Sequence, residues 1–106
     1  MYSIQAINVI IRFRRYMSIE VNIPPFLQPL ADDVKRVDVS GSTVGECLEA
    51  MVKRYPRLKK RVFTTGGKIS RGLNIYINGE SAYPDALARP VKDGDKIHIA
   101  YLIFGG

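Results

Sequence analysis

The two residues at the end of the sequence, Gly105 and Gly106, could do chemistry through a carboxylate without any side chain. We expect Gly106 to carry the reactive carboxylate and Gly105 to act as a flexible spacer, because glycine adopts backbone angles that other residues avoid. A hydrophobic strand pattern precedes the pair directly. We therefore interpret this end as the working part of the chain.

Other chemically reactive residues are few. The sequence has one cysteine, Cys47, and one histidine, His98, so no multi-cysteine or His/Cys metal site is expected. We expect Cys47 to be a buried, unreactive thiol rather than a persulfide acceptor, and His98 to lie on a surface or interface. The stretch 65–68 (TGGK) lacks both the first glycine of a phosphate loop and a Ser/Thr at position 69, and we interpret it as a turn.

The main charge asymmetry is a stretch of eight cations without any acid between Met51 and Gly79. The cations are Lys53, Arg54, Arg57, Lys59, Lys60, Arg61, Lys68 and Arg71. Three interpretations stay open: a solvated surface, which we favour, a docking surface for an acidic protein, and a surface that tracks the phosphates of nucleic acid. The third is disfavoured because only Tyr55 and Phe63 are nearby to stack on bases.

Length and composition indicate one globular domain. The chain has 106 residues, of which 46% are hydrophobic and 25% charged, and its formal net charge is +6. A single cysteine excludes an internal disulfide, so a reducing compartment, the cytoplasm, is the expected location. The longest apolar run, residues 6–11, is interrupted by Asn8 and is too short to span a bilayer, so no membrane association is expected.

The first sixteen residues are expected to be an over-extended or non-native segment. They carry three arginines and no acid, and the charges follow the apolar residues, unlike the order in a secretory signal. A regular strand pattern begins at Met17. We therefore expect a native start at Met17 and a single domain over residues 17–106.

The first half of that domain predicts two strands and a helix. Met17, Ile19, Val21 and Ile23 alternate with polar residues and predict a half-buried strand that Pro24-Pro25 ends. A weaker alternation at residues 35–39 predicts a second strand, paired with the first. Thr43 and Glu46 have the spacing of a capping box, and an apolar residue set at helical spacing runs from Val44 to Tyr55.

The second half predicts three further strands. Residues 73–77 alternate, Asn78-Gly79 is a strong hairpin signal, and residues 80–83 are expected to return as a short strand. After a turn at Asp93-Gly94, residues 97–101 form the last strand. The order predicts an α+β fold in which one main helix crosses a mixed sheet of four to five strands.

Four of these features together resemble the MoaD/ThiS family of ubiquitin-like (β-grasp) sulfur carriers. They are the strand ending in Pro24-Pro25, the Thr43-x-x-Glu46 helix start, residues 74–79 (NIYING), and Asp93-Gly94-Asp95 leading to a strand and the two glycines. The resemblance covers residues 17–106. The long 57–72 connection and the sequence NIYIN at residues 74–78 most resemble the corresponding segments of the CysO-type carriers of cysteine synthesis.

The resemblance implies a carrier and not an enzyme. A ubiquitin-activating-like adenylyltransferase would consume ATP to adenylate the carboxylate of Gly106, which would become a thiocarboxylate. A sulfur-acceptor enzyme, either cysteine-synthase-like or the large subunit of molybdopterin synthase, would then receive the sulfur. The resemblance implies no catalytic residue, bound cofactor or metal in this chain, although it could carry the name molybdopterin synthase small subunit.

The residues before the glycines depart from the family's usual small residues and prolines. Here they are Tyr101, Leu102, Ile103 and Phe104, which we expect to bind a partner, since exposed apolar side chains are costly unless they are covered. The alternative is that Leu102 and Phe104 extend the last strand into the core.

Two other functional classes remain open at this stage. A ubiquitin-like modifier, conjugated to lysines through Gly106, needs the same fold, tail and activating enzyme. A small basic nucleic-acid-binding domain is the less favoured alternative, because it rests on the 51–79 stretch alone.

Overall fold

The computed structural model describes residues 18–102. It has five strands, β1 (Ser18–Asn22), β2 (Arg36–Ser40), β3 (Leu73–Ile77), β4 (Glu80–Ser81) and β5 (Lys96–Tyr101), and two α-helices, α1 (Val44–Arg54) and α2 (Lys59–Val62). Two 3-10 turns, Gln28–Ala31 and Pro56–Leu58, complete the elements. The segment 1–16 and the predicted strand residue Met17 lie outside the described residues.

The five strands form one mixed sheet in the order β2-β1-β5-β3-β4. β1 pairs with β2 antiparallel and with β5 parallel, with Val21 opposite both Val37 and Ile97. β5 pairs with β3 antiparallel, with Ile99 opposite Ile75. The parallel pair at the centre, with a hairpin on either side, confirms the predicted β-grasp fold.

The helix α1 begins and ends where the sequence predicts. The Thr43 hydroxyl oxygen accepts a hydrogen bond from the Glu46 amide at 3.1 Å. The Glu46 carboxylate reaches back to Ser42, whose amide donates at 3.1 Å and whose hydroxyl also donates. Proline lacks an amide hydrogen, so Pro56 cannot continue the helix beyond Tyr55.

Two further donors at the start of α1 are satisfied by a distant loop. The amides of Val44 and Gly45 donate to the carbonyls of Arg89 and Leu87, each at 2.9 Å. A helix leaves its first amides without intrahelical partners, so the 84–90 loop completes the cap. This contact fixes the loop against the start of the helix.

The core lies between α1 and the inner face of the sheet. The apolar residues that alternate along the strands pack there against the apolar face of the helix, as the sequence predicts. The buried apolar side chains include Ile19, Val21, Val37, Val39, Cys47, Leu48, Met51, Leu58, Ile75, Ile97 and Ile99.

The structure adds one element and corrects one prediction. The 57–72 connection, in which the sequence predicted no element, contains α2, and Leu58 and Val62 are buried one helical turn apart on the same side. The strand predicted over residues 80–83 ends at Ser81, although the Ala82 amide still donates to the Ile75 carbonyl at 2.9 Å.

A buried carboxylate ties the β3–β4 turn to the start of β5. Asp95 is only 6% exposed. Its two oxygens accept from the Asn78 side-chain amide at 2.9 Å and from the Lys92 backbone amide at 2.8 Å. The Asn78 side-chain oxygen in turn accepts from the Lys96 amide at 2.9 Å. This network holds β5 in register beside the hairpin.

Candidate functional site

The end of β5 is the point from which the chain continues towards Gly106. The backbone amide of Leu102 donates to the Gly72 carbonyl at 2.9 Å, so the last described residue is still held against the start of β3. Gly72 has a φ of +90°, and the Tyr101 ring lies over its α-carbon. The end of β5 is therefore held by a backbone hydrogen bond and by packing of the Tyr101 ring on Gly72.

Three large apolar side chains are exposed around this exit. Phe26 is 46% exposed, Tyr101 45% and Leu102 43%. The rings of Phe26 and Tyr101 lie 5.2 Å apart between centroids at an angle of 54°, a tilted aromatic contact. We call Phe26, Tyr101 and Leu102 the exit patch.

Sequence reasoning placed Tyr101 and Leu102 at this site but missed Phe26. The sequence signal that could have found Phe26 is the pair Phe26-Leu27 directly after two prolines. Two neighbouring apolar side chains in a turn rarely face the same way, so one of them was bound to be exposed. Leu27 is buried and Phe26 is not.

Only two of the four residues predicted to bind a partner, Tyr101 and Leu102, lie within the residues that the structure describes. Tyr101 was expected to bind a partner; its ring is half-exposed and packs on Gly72 and Phe26. Leu102 is exposed beyond the end of β5, so the alternative that it extends the strand into the core is wrong. The other predicted site residues, Ile103, Phe104, Gly105 and Gly106, lie outside the described residues.

An open groove of about 590 Å³ runs from Gly72 along β3 towards the loop after β4. Its lining mixes apolar side chains with two cations. The lining residues include Lys68, Arg71, Leu73, Tyr83, Ala86 and Leu87. The groove therefore includes two cations of the basic stretch and Gly72, the residue on which the Tyr101 ring packs.

All eight cations of the basic stretch are exposed. Arg57 is the one among them that forms an ion pair within residues 18–102, with Asp32 at 4.0 Å, and it also donates to the Pro29 carbonyl at 2.9 Å. The segment 65–68 is a turn, closed by the Thr64 amide on the Lys68 carbonyl at 2.7 Å, and β3 follows it rather than the helix of a phosphate loop.

Cys47 and His98 occupy the positions predicted for them. Cys47 is fully buried on α1, and burial raises the pKa of its thiol to about 11. His98 is exposed on the outer face of the sheet, between Asn22 and Tyr76 on the neighbouring strands.

Residues 18–102 offer no group of three or more His, Cys, Asp or Glu side chains placed to hold a metal ion. Within the same residues, no helix is long and apolar enough to cross a membrane.

The chemical possibilities of the described body are limited. Its two buried reactive groups, Cys47 and Asp95, are occupied by packing and by hydrogen bonds. What the body offers instead is an apolar exit patch at the start of the tail, a groove beside it, and a basic surface. These are the features of a surface that a partner protein binds.

Comparison with known proteins gives the family. The sequence profile of the ThiS family matches residues 21–106. The small archaeal modifier protein 1 of Haloferax volcanii is 39% identical over 72 residues, which cover 67% of this chain and 79% of that protein.

Solved structures agree with the sequence comparison. A chain of the Amycolatopsis orientalis BexX/CysO complex superposes with a TM-score of 0.74 at 31% identity, covering 83% of this chain and 99% of that one. The Mycobacterium tuberculosis CysO structure gives a TM-score of 0.73 at 31% identity, over 80% of this chain and 99% of that one. The chain therefore belongs to the ThiS family and shares its ubiquitin-like β-grasp fold.

Proposed function

We propose that this protein is a sulfur carrier whose reactive group is the carboxylate of Gly106. A ubiquitin-activating-like adenylyltransferase would bind the domain, and ATP would be consumed by that enzyme rather than bound by the carrier. Gly105 would be the spacer that lets the tail enter the enzyme's nucleotide site, where a side chain would clash.

The chemistry needs two displacements. The carboxylate attacks the α-phosphate of ATP, and pyrophosphate leaves with the formation of an acyl adenylate. Sulfide then attacks the acyl carbon and AMP leaves, so that one oxygen of the carboxylate has been replaced by sulfur. A protein persulfide can replace sulfide if a thiol then reduces the resulting acyl disulfide.

One observation carries the proposal: the exit patch surrounds the point where the chain leaves the sheet, four residues before Gly106. Three half-exposed apolar side chains there would be costly to leave in water. Their position suits a partner that covers the patch and draws the tail into its own active site.

The sulfur acceptor is proposed on family grounds. The described structure is similar to the two CysO structures, so we favour a cysteine-synthase-like acceptor and delivery of sulfur to an amino acid. Molybdopterin synthesis, with the large subunit of molybdopterin synthase as acceptor, is the second candidate pathway.

A ubiquitin-like modifier is the second candidate function. It is favoured by the 39% identity to a protein named as a modifier. In this case a lysine amine, rather than sulfide, would attack the activated carboxylate and form an isopeptide bond. Activation by adenylation would be common to both functions.

The test is the intact mass of the protein, prepared to end at Gly106, after incubation with the adenylyltransferase of the same organism, ATP and sulfide. We expect the mass gained when one oxygen is replaced by sulfur. The variant Gly106→Ala should not gain it. The matched control is Gly66→Ala, whose new Cβ would meet only the Thr64 hydroxyl oxygen, at 3.8 Å.

The outcomes separate the candidates. Sulfur loading that survives Gly106→Ala would refute the requirement for a residue without a side chain at the end of the tail. Lysine-linked conjugates in cell extract without any thiocarboxylate would favour the modifier. Loss of loading in the Gly66→Ala control would show that the assay reports folding rather than the tail.

A further inference from the structure

We propose that the eight exposed cations between Met51 and Gly79 form a second docking surface, which binds an acidic face of the activating enzyme. We call them the basic surface. The inference rests on the proposed function, since it names a surface of the partner that takes the Gly106 tail.

Positive charges are concentrated in one part of the chain, although solubility alone does not require such a separation of charges. The 51–79 stretch holds eight Lys/Arg and no acid, whereas the remainder of the sequence holds eight Lys/Arg and ten Asp/Glu. The whole positive net charge therefore comes from this stretch. Surfaces without a steering role commonly intersperse both signs.

The fold concentrates these cations further. Lys53 and Arg54 end α1, and the 3-10 turn Pro56–Leu58 leads into α2. Leu58 and Val62 are buried there, while the three cations of α2 are exposed. The chain then returns alongside α2, because the Ser70 amide donates to the Val62 carbonyl at 2.8 Å. The cations after this turn are thus brought back beside those before it.

The last two of these cations lie close to Gly72, which contacts the exit patch. Lys68 and Arg71 line the groove that begins at Gly72, and Gly72 contacts Tyr101 and binds the Leu102 amide. A protein that covers the exit patch would therefore meet the basic surface at the same time. This continuity favours the activating enzyme over an unrelated partner.

Nucleic acid fits the surface less well. Among the three aromatic residues of this stretch, Phe63 is buried and Tyr55 and Tyr76 are half-buried, so none of the rings is fully exposed to stack on a base. A second copy of the chain also fits less well, because its acids are spread over several elements. An acidic protein surface remains the occupant that matches the charge and the position.

The expected physical effect is on the rate of association. Complementary charge raises the rate of encounter by about 10-fold to 1,000-fold, and salt screens that effect. Reversing charges on the surface should slow association strongly at low salt. The rate of dissociation should change less, since the exit patch would still hold the complex.

The test is stopped-flow association of the full chain with the adenylyltransferase of the same organism, from low to high salt. The variant is Lys59→Glu/Lys60→Glu/Arg61→Glu. The matched control, Lys35→Glu/Arg36→Glu/Lys92→Glu, makes the same change in net charge at three exposed cations outside the stretch. We expect the association rate constant to fall at least about tenfold in the first variant and less than about threefold in the control.

Circular dichroism shows whether each variant is folded, and the glutamine triple at positions 59–61 replaces the glutamate triple if α2 does not tolerate the acids. The inference is overturned if the variant at positions 59–61 and the control variant slow association equally, or if neither slows it. Pyrophosphate release by the unaltered chain keeps the two proposals apart. If the chain is adenylated while both triples associate at the normal rate, only the docking inference fails, whereas no adenylation refutes the proposed function and the inference with it.

Discussion

Gly72 leaves room for the ring of Tyr101. A Cβ at Gly72 would lie 2.7 Å from Cε2 of Tyr101, closer than non-bonded carbon atoms approach. The carbonyl oxygen of the same glycine accepts a hydrogen bond from the Leu102 amide. One residue therefore positions both the Tyr101 ring and the backbone at the end of β5. Because Phe26 packs on that ring, Gly72 also determines the shape of the exit patch.

The first prediction is that Gly72→Ala both destabilises the domain and disturbs the exit patch. The φ of +90° costs a non-glycine residue about 1–2 kcal/mol, and the Tyr101 ring must move away. Urea denaturation measures the first effect. Gly79→Ala is the control, since Gly79 has a φ of +87° and nothing within 4 Å of a new Cβ. Sulfur loading should fall for the Gly72 variant alone; equal loading in both would contradict the role of the ring.

The second prediction concerns Phe26, the member of the exit patch that the sequence did not reveal. Because its ring is half-exposed, Phe26→Ala should cost less than about 1 kcal/mol of folding free energy. It should lower kcat/KM for adenylation by about tenfold, the effect of losing a central interface aromatic.

Tyr83→Ala provides the matched control for Phe26. Tyr83 is 80% exposed on the loop after β4 and lines the groove, but it does not pack on Tyr101, so the two variants separate the exit patch from the groove beside it. An equal loss of activity in this variant, measured by pyrophosphate release, would show that the effect does not belong to the exit patch.

The third prediction is that Asp95→Ala destabilises the domain by about 2 kcal/mol, the usual cost of losing hydrogen bonds to a charged group. The side-chain amide of Asn78 and the backbone amide of Lys92 would lose their acceptor. The exposed Asp85 is the control, and Asp85→Ala should change the free energy of unfolding by less than about 0.5 kcal/mol. Similar urea midpoints for the two variants would contradict the proposed role of the network.

The fourth prediction concerns pH and the cap of α1. The hydrogen bonds from the Ser42 hydroxyl and amide lower the pKa of Glu46 below its ordinary value of 4.5. A lowered folded-state pKa stabilises the fold above the unfolded value, and this contribution is lost as the pH falls through the folded value. Thermal melts of Glu46→Gln should therefore lose less Tm below pH 4.5 than melts of the unaltered chain.

Glu49→Gln is the control for this cap. Glu49 is exposed one turn along the same helix, and its carboxylate accepts no hydrogen bond from residues 18–102. The acid-dependent loss of Tm should be the same in this variant as in the unaltered chain. A matching change in both variants would show that the effect is not specific to the cap.

Local rules were sufficient for most of the fold. Strand alternation placed Val21 and Ile97 in the core, and the Thr43–Glu46 spacing placed the start of α1. The Asn78-Gly79 turn has positive φ at both residues, as such hairpins require. Each of these features depends on residues within a few positions of one another, so the sequence pattern contains the information.

Long-range contacts explain what was missed. The cap of α1 is completed by carbonyls of Arg89 and Leu87, more than forty residues away, and no local pattern indicates such a pairing. The exit patch likewise joins Phe26 to Tyr101 across the chain. The short α2 was missed because a four-residue helix has too few positions to show a period.

The fifth prediction is that Cys47 takes no part in sulfur transfer. Burial raises the pKa of its thiol from 9.0 to about 11, with a smaller contribution from Glu46. At pH 8 only about one molecule in a thousand would then hold the nucleophilic thiolate. Iodoacetamide should therefore label Cys47 in urea but not in the folded protein, as intact mass would show.

Two further readouts test the buried thiol. Because the folded pKa is raised, the thiol's contribution to stability is full below pH 9.0 and declines as the pH rises through the folded value. Cys47→Ala should abolish this alkaline decline and should leave sulfur loading of Gly106 within about twofold of the unaltered chain, which only a structural role for Cys47 allows. Labelling of the folded protein, or loss of loading in Cys47→Ala without loss of the fold, would instead place the sulfur of Cys47 in the transfer pathway.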